Sequence, residues 1–178
     1  MADPMLILTG PPGVGKTTTA RLLAARSERC VHLESDCFFH FISAGYVEPW
    51  KPESHAQNTT VVRIVAAAAA GYAEDGYFTI IDGIFSPRWF FEPLRDALQT
   101  AGHTVAYAVL RAPLAICAER AAGRERSRIA DTSIIGRLWE DFADLGSLES
   151  QVIDSDDRAP EEIAEEVERR LAEGALAV

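Results

Sequence analysis

Residues 10–17, GPPGVGKT, match the pattern G-x-x-x-x-G-K-[ST]. Glycines in such a loop let backbone N–H groups turn inward around an anion that side chains would otherwise obstruct. Lys16 adds a compact ammonium for the outer phosphates of a nucleotide, and the hydroxyl of Thr17 is a suitable ligand for Mg²⁺. The pattern therefore predicts a loop that binds a polyphosphate together with its metal ion.

The residues around this loop support the prediction. The apolar run MLILT (5–9) precedes it, and residues 15–28 follow with helical periodicity, which is the strand–loop–helix context of a phosphate-binding loop. The start of the helix adds unpaired N–H donors and a positive dipole end. A glycine-rich turn without function is the alternative. The predicted nucleotide-binding residues are Gly10, Pro12, Gly13, Val14, Gly15, Lys16, Thr17 and Thr18.

A second chemical signal is the tetrapeptide IIDG (80–83), at the end of a predicted strand. An acidic residue at a strand tip beside the phosphate loop can hold Mg²⁺ through water or position the transferred phosphate. An ordinary Asp-Gly turn is the structural alternative. Beside such a loop we favour the functional interpretation, and we predict that Thr17 and Asp82 form the metal site.

Asp36 follows another predicted strand, in the sequence LESD. It is expected at the carboxyl edge of the sheet, where open α/β folds bind ligands. A carboxylate there can orient an acceptor hydroxyl and take its proton. The alternative is that Asp36 is the N-cap of the next helix, and the two roles are compatible.

Arginines concentrate after the fourth predicted strand, within 18 residues: Arg111, Arg120, Arg124, Arg126 and Arg128. Arginines on a mobile loop can close over phosphates, neutralise transition-state charge and exclude water. A solvated basic face is the alternative. Arg120 and Arg124, spaced four residues apart and leading into the loop, are the predicted catalytic pair of a lid at about 120–131.

The elements that must position these residues alternate along the chain. Predicted strands cover 5–9, 30–35, 77–82, 104–110 and 151–154, and predicted helices cover 15–28, 54–75, 87–100, 113–123, 132–143 and 160–173. Ser54 is the predicted cap of the long second helix. This alternation indicates a parallel sheet with helices on both faces, in one domain spanning 1–178.

The amino-acid composition limits which kinds of binding partner are expected. The net charge is −10, and the segment 140–178 carries 13 acidic residues against three arginines, so the first 139 residues are neutral overall. This balance argues against a nucleic-acid partner and puts an anion site in the neutral part. Three cysteines without metal-binding spacing indicate reduced thiols and a cytoplasmic location, and no apolar run is long enough for a membrane span. Monomer and homodimer both stay open.

Taken together, the phosphate loop, Asp36, IIDG and the arginine loop resemble the small P-loop kinases of the nucleoside monophosphate kinase-like group. This group includes shikimate, gluconate and adenylyl-sulfate kinases and chloramphenicol phosphotransferase. The resemblance implies a three-layer α/β/α sandwich whose five-stranded parallel sheet has the order 2-3-1-4-5. It also implies ATP and Mg²⁺ as cofactors, an acceptor-side helical segment at about 37–60, and Asp36 as the residue that activates the acceptor hydroxyl.

The expected function is transfer of the γ-phosphoryl group of ATP to a hydroxyl of a small molecule, either a metabolite or an antibiotic. A P-loop ATPase or nucleotide switch acting on a protein partner is the alternative. The segment 36–58 is rich in aromatic residues, which suits an apolar acceptor or a helix packed on the core. His55 and Gln57 are candidate substrate contacts, whereas His32, Trp89 and Trp139 are interpreted as structural.

Overall fold

The computed structural model describes residues 5–123 and 131–178. Its single described sheet contains five strands, all parallel to their neighbours, in the order β2-β3-β1-β4-β5. The strands are β1 (Met5–Thr9), β2 (Cys30–Glu34), β3 (Phe78–Asp82), β4 (Val105–Arg111) and β5 (Val152–Asp154). The predicted parallel α/β fold and its strand order are confirmed.

Seven helices accompany these strands in the described ranges: α1 (Lys16–Arg26), α2 (Ser35–His40), α3 (His55–Glu74), α4 (Phe91–Thr100), α5 (Leu114–Ala122), α6 (Thr132–Glu140) and α7 (Pro160–Ala172). Short 3₁₀ turns occupy Pro52–Ser54 and Gly146–Gln151. The acceptor-side segment at 37–60 therefore contains most of α2, an irregular stretch and the first turns of α3.

The sheet is buried on both faces, as parallel sheets require. Alternate residues of β1 enter opposite cores: Met5 and Ile7 pack with α3 and α4, whereas Leu6 and Leu8 pack with α1, α5 and α7. Alanines at buried positions of α3 let this helix approach the sheet closely. Each helix layer thus holds the strand ends, and the loops that follow them, at fixed positions.

Three local details differ from the sequence-based expectations. The helix predicted from residue 87 begins at Phe91, because a turn closes on the Ser86 carbonyl and Phe90 adopts a left-handed φ of 57°. The helix predicted over 132–143 ends at Glu140. Ser54 precedes α3 but does not cap it, since its hydroxyl donates to the carbonyls of Pro49 (2.9 Å) and Lys51 (2.7 Å).

Within the described ranges, we find no helix with the length and apolar character needed to cross a membrane.

Candidate active site

The carboxyl ends of β1, β2 and β3 open into one large cleft with a volume of about 1560 Å³. Its walls come from the loop after β1, the start of α2, the segments before α3 and after β3, and α6. Single-ligand pockets typically have volumes of about 300–1,000 Å³. The cleft is therefore large enough for two substrates side by side.

The loop between β1 and α1 owes its shape to its glycines. A β-carbon at Gly13 would overlap the carbonyl oxygen of Cys117 in α5, so the loop can pack there only with glycine. Gly15 has a φ of 108° and would place a β-carbon in open space, on the side where α1 begins. No side chain of the described residues caps the start of α1. A phosphate can therefore approach this helix end.

Lys16 crosses this loop. Its Nζ donates to the carbonyls of Gly10 (2.9 Å) and Pro11 (3.0 Å). These contacts hold a positive charge at the concave side of the loop, beside the helix end. The arrangement is an anion cradle made of one ammonium and oriented backbone groups.

The predicted nucleotide residues divide into two sets. Those that line the cleft are Pro12, Gly13, Gly15, Lys16, Thr17 and Thr18. Gly10 and Val14 shape the loop from behind, because the Gly10 carbonyl accepts from Lys16 and the Val14 side chain is buried in the core. The Val14 carbonyl also accepts a hydrogen bond from Ser155 Oγ (3.2 Å), which ties the loop to the end of β5.

Thr17 and Asp82 meet at the adjacent ends of α1 and β3. Thr17 Oγ1 donates to Asp82 Oδ2 at 2.7 Å. His32 Nε2 lies 3.1 Å from the same oxygen, although the sequence indicated only a structural role for this histidine. Because a carboxylate oxygen accepts, the contact requires the imidazole proton on Nε2. Two donors thus fix the orientation of the Asp82 carboxylate.

The chemistry of this pair fits Mg²⁺, which prefers hard oxygen ligands such as hydroxyl and carboxylate groups. Among the described residues, no group of three His, Cys, Asp or Glu side chains could hold a metal ion alone. Mg²⁺ at nucleotide sites typically uses one or two protein oxygens and completes its shell with phosphates and water. Thr17 and Asp82 supply that number of oxygens.

Asp36 lies in the first turn of α2 and lines the cleft. The helix begins at Ser35 with Glu34 at the N-cap position, so the N-cap interpretation of Asp36 is wrong. The side chain reaches solvent through the cleft, but the surrounding walls remove part of its hydration, which raises its pKa above the ordinary value. Lys16 opposes this rise, whereas the nearby carboxylate of Asp82 adds to it.

The predicted arginine pair is not found together in the cleft. Arg120 is not among the cleft-lining residues, and its guanidinium donates to the Ser155 carbonyl at 3.5 Å. Arg124 lies outside the described residues, as does most of the predicted lid. Arg111 pairs with both carboxylate oxygens of Glu149 at 3.1 Å, which is a structural contact.

Two other arginines line the cleft instead. Arg88 follows β3 by six residues, and Arg137 lies in the last turn of α6. Burial raises the pKa of Asp141 between them, and both guanidiniums oppose that rise, so all three groups interact electrostatically. The sequence contains little indication that these two arginines line the cleft: Arg88 lies a few residues after IIDG, and Arg137 lies a few residues after the predicted lid.

Of the two candidate substrate contacts, His55 lines the cleft, whereas Gln57 does not. Trp89, which was interpreted as structural, packs against the core and also lines the cleft. The Gln57 amide pairs with the backbone of Val47. Trp139 packs in the core and donates from Nε1 to the Ala112 carbonyl at 2.8 Å, as expected for a structural residue.

This sheet order, with a glycine-rich loop after β1 and helices on both faces, is the fold that the resemblance to small P-loop kinases implied. Residues 5–145 match the sequence profile of the family described as AAA domain, and the chain belongs to that family. No curated protein matches the chain significantly by sequence.

Solved structures share the fold. The tunicamycin resistance protein of Deinococcus radiodurans superposes with a TM-score of 0.72 at 21% identity, over 95% of each chain. The APS kinase of Mycobacterium tuberculosis, solved with AMPPNP and APS, gives a TM-score of 0.70 at 20% identity, over 97% of this chain and 99% of that one. A gluconokinase of Sinorhizobium meliloti gives 0.68 at 17% identity, over 98% of this chain and 94% of that one. At these identities the likeness shows the fold alone.

Proposed function

We propose that this protein is an ATP-dependent phosphotransferase that moves the γ-phosphoryl group to a hydroxyl of a small molecule. One observation carries the proposal: a single cleft holds the Lys16 cradle, the Thr17–Asp82 pair and the Asp36 carboxylate. These are the parts that bind a polyphosphate, hold its metal ion and accept a proton from an attacking hydroxyl.

The loop residues and the start of α1 bind the β- and γ-phosphates of ATP, with Lys16 turning from its loop carbonyls toward them. Thr17 and, through water, Asp82 would hold Mg²⁺, which would supply neutralisation of the phosphate charge. His32 and Thr17 hold the Asp82 carboxylate in one orientation for that task. The protein itself thus fixes the position of the transferred group.

Asp36 receives the acceptor hydroxyl. As the acceptor oxygen forms its bond to the γ-phosphorus, the hydroxyl proton passes to the Asp36 carboxylate, and the bond from the γ-phosphorus to the bridging oxygen of ADP breaks. Partial desolvation raises the pKa of Asp36. A carboxylate with a raised pKa is a stronger base than an ordinary aspartate.

Positive charge near the transferred group comes from Lys16 and, in this proposal, from Arg88 and Arg137, which line the cleft. Arg120 and Arg124 keep their proposed place in a lid that closes over the nucleotide. The guanidinium of Arg120 donates to the carbonyl of Ser155, directly after β5.

The structural neighbours support a small-molecule acceptor. They include a sugar kinase, a gluconokinase, a shikimate kinase and an APS kinase, the last solved with the nucleotide analogue AMPPNP. A tunicamycin resistance protein has the same fold, which keeps antibiotic acceptors in the proposal alongside metabolites. A cytoplasmic location and the absence of nucleic-acid or membrane partners stay predictions.

The test is ADP formation from ATP and Mg²⁺ by the purified protein, against a panel of hydroxyl-bearing metabolites and antibiotics. Acceptor-dependent turnover that is lost in Asp36→Asn, with nucleotide affinity retained, is the expected result. Slow hydrolysis that responds neither to any acceptor nor to the substitution would favour an ATPase or nucleotide switch acting on a protein partner.

A further inference from the structure

One wall of the cleft is built from ring-bearing side chains: Tyr46, Trp50, His55, Trp89 and Phe90. We call this set the aromatic wall. The rings of His55 and Phe90 stack with centroids 5.6 Å apart, and Trp89 meets Phe90 edge to face at 5.0 Å. The segment before α3 and the segment after β3 therefore join in one surface. Its two tryptophans are only half-buried, so part of their surface faces the cleft.

The segment that carries Trp89 and Phe90 is tied to the sheet through Phe85, whose ring centroid lies 6.2 Å from that of Trp89. Two donors, Thr9 Oγ1 and Tyr107 Oη, reach the carbonyl of Phe85 from the neighbouring strands, the latter at 2.7 Å. The N–H of Phe85 donates back to Thr9 Oγ1 at 2.8 Å. Phe90 itself has a φ of 57°, a conformation that is uncommon for a bulky residue. Such strain persists only where the surroundings enforce it, and it is often found at ligand sites.

The part of the aromatic wall before α3 is held in place by hydrogen bonds from polar side chains to its own backbone. The Gln57 amide both donates to and accepts from the Val47 backbone, at 2.7 and 2.9 Å. Asn58 Nδ2 and Ser54 Oγ donate to the Pro49 carbonyl at 2.8 and 2.9 Å. Except for Asn58 Oδ1, which has no hydrogen-bond partner among the described residues, these amide and hydroxyl groups are occupied within the segment, and ring faces make up most of what the wall presents.

We propose that the acceptor carries a flat aromatic ring, which stacks on the aromatic wall while the acceptor hydroxyl reaches Asp36. An open-chain polyol would need a dense set of polar partners, whereas the Gln57 amide, Asn58 Nδ2 and the Ser54 hydroxyl are already engaged, which leaves Asn58 Oδ1 as a single acceptor among these described side chains. Ring stacking uses the exposed faces of Trp50, Trp89 and Phe90. This inference rests on the proposed function for the identity of the ligand as an acceptor, but the ring-binding surface itself can be tested by binding alone.

The test uses ligand-detected NMR titrations on the full-length protein saturated with AMPPNP and Mg²⁺. Three probes are compared: 4-(2-hydroxyethyl)phenol as the aromatic alcohol, methyl glucoside as the sugar ring, and sorbitol as the open-chain polyol. We expect the aromatic alcohol to bind about 2- to 12-fold more tightly than either of the others, since aromatic pairs gain about 0.5–1.5 kcal/mol beyond area burial.

Two variants locate the binding. Trp50→Leu removes one ring, and Phe90→Gly removes another while keeping a residue that adopts the left-handed φ without strain. Each is expected to weaken binding of the aromatic alcohol by roughly 2- to 12-fold. Tyr72→Leu is the matched control, because Tyr72 is an exposed aromatic residue of α3 that does not line the cleft. Unchanged AMPPNP affinity verifies that each variant is folded.

Several results would overturn the inference: equal or tighter binding of sorbitol or methyl glucoside, no binding of any probe, or aromatic binding that both variants leave unchanged. Binding of the aromatic alcohol to the nucleotide-free protein but not to the AMPPNP-saturated protein would also overturn it, because the wall would then belong to the nucleotide base. Wall-dependent aromatic binding without any phosphoryl transfer would instead keep the ring site and reject the kinase proposal.

Discussion

The two halves of the sheet edge place their polar and charged residues differently. On the β1–β3 side, Thr17, Asp82 and Asp36 all line the cleft. On the β4–β5 side, Arg111 and Arg120 do not line it, and their guanidiniums contact Glu149 and the Ser155 carbonyl. Asp82 also has protein partners, Thr17 and His32, so a satisfied charge does not distinguish the two halves. What distinguishes them is whether the side chain lines the cleft.

Lys16→Ala should give one of the two largest effects, because in the proposed mechanism it removes the ammonium that holds the phosphates on the β1 side. Loss of one preorganised electrostatic partner typically costs about 10²–10³ in rate, and this loss should reach at least that range. ADP formation with the best acceptor measures it. Arg169→Ala, which breaks an exposed pair with Glu173, is the matched control, and equal losses in both variants would contradict the prediction.

Asp36→Asn should lower turnover by about 10²–10⁴, the usual contribution of a general base, and leave ATP affinity intact. The pKa of Asp36 is raised in the folded protein, so its ionised form costs stability at neutral pH. The variant should therefore show a slightly higher Tm as well as lower activity. A variant that loses activity and Tm together would point to a structural role.

The raised pKa of Asp36 should also determine how activity depends on pH. Asp36 works as a base only when ionised, so activity should fall as pH decreases through a midpoint above the ordinary value of 3.8. A profile of kcat/KM against pH measures this midpoint. The acidic limb should disappear from the residual activity of Asp36→Asn, and its persistence would assign the limb to another group.

Arg137→Gln sharpens the comparison between cleft-lining and internally bound arginines. It should reduce turnover by roughly 10²-fold if its charge faces the transferred group, whereas Arg120→Gln should change turnover by less than about 10-fold. Parallel measurements of kcat and of KM for ATP separate the two effects. A larger kcat loss in Arg120→Gln would instead assign the main charge at the transferred group to the proposed lid.

His32→Leu should give the smallest effect, since it acts through Asp82. Removing the outer partner of a metal ligand typically costs about 10–100-fold in metal affinity, and the lower end applies here because Thr17 still holds the carboxylate. Calorimetric titration of AMPPNP at several Mg²⁺ concentrations measures the metal affinity without requiring turnover. His32→Gln, which can place an N–H near the same oxygen, should recover most of the affinity, and failure to do so would reject the positioning role.

Much of the fold was predictable, because buried parallel strands, helices with an apolar face and a glycine-rich loop leave local patterns in the chain. The candidate site was predictable where its residues belong to local patterns: Thr17 is part of the loop motif, Asp82 ends β3, and Asp36 lies in the first turn after β2. The contact between His32 and Asp82 was not, since it depends on the register that pairs Glu34 with Asp82 across β2 and β3. The position of Trp89 in the cleft depends likewise on the turn at Phe90.

The sequence by itself determined the order of elements, the phosphate-binding loop and the strand ends that carry carboxylates, because these follow from spacing and local backbone preference. Tertiary structure decided which arginines line the cleft, what holds Asp82 in place and which aromatic rings form a wall. Those outcomes depend on side chains far apart in the chain, such as Arg88 and Arg137, being brought together by helix packing. No local sequence pattern indicates that these two arginines line the same cleft.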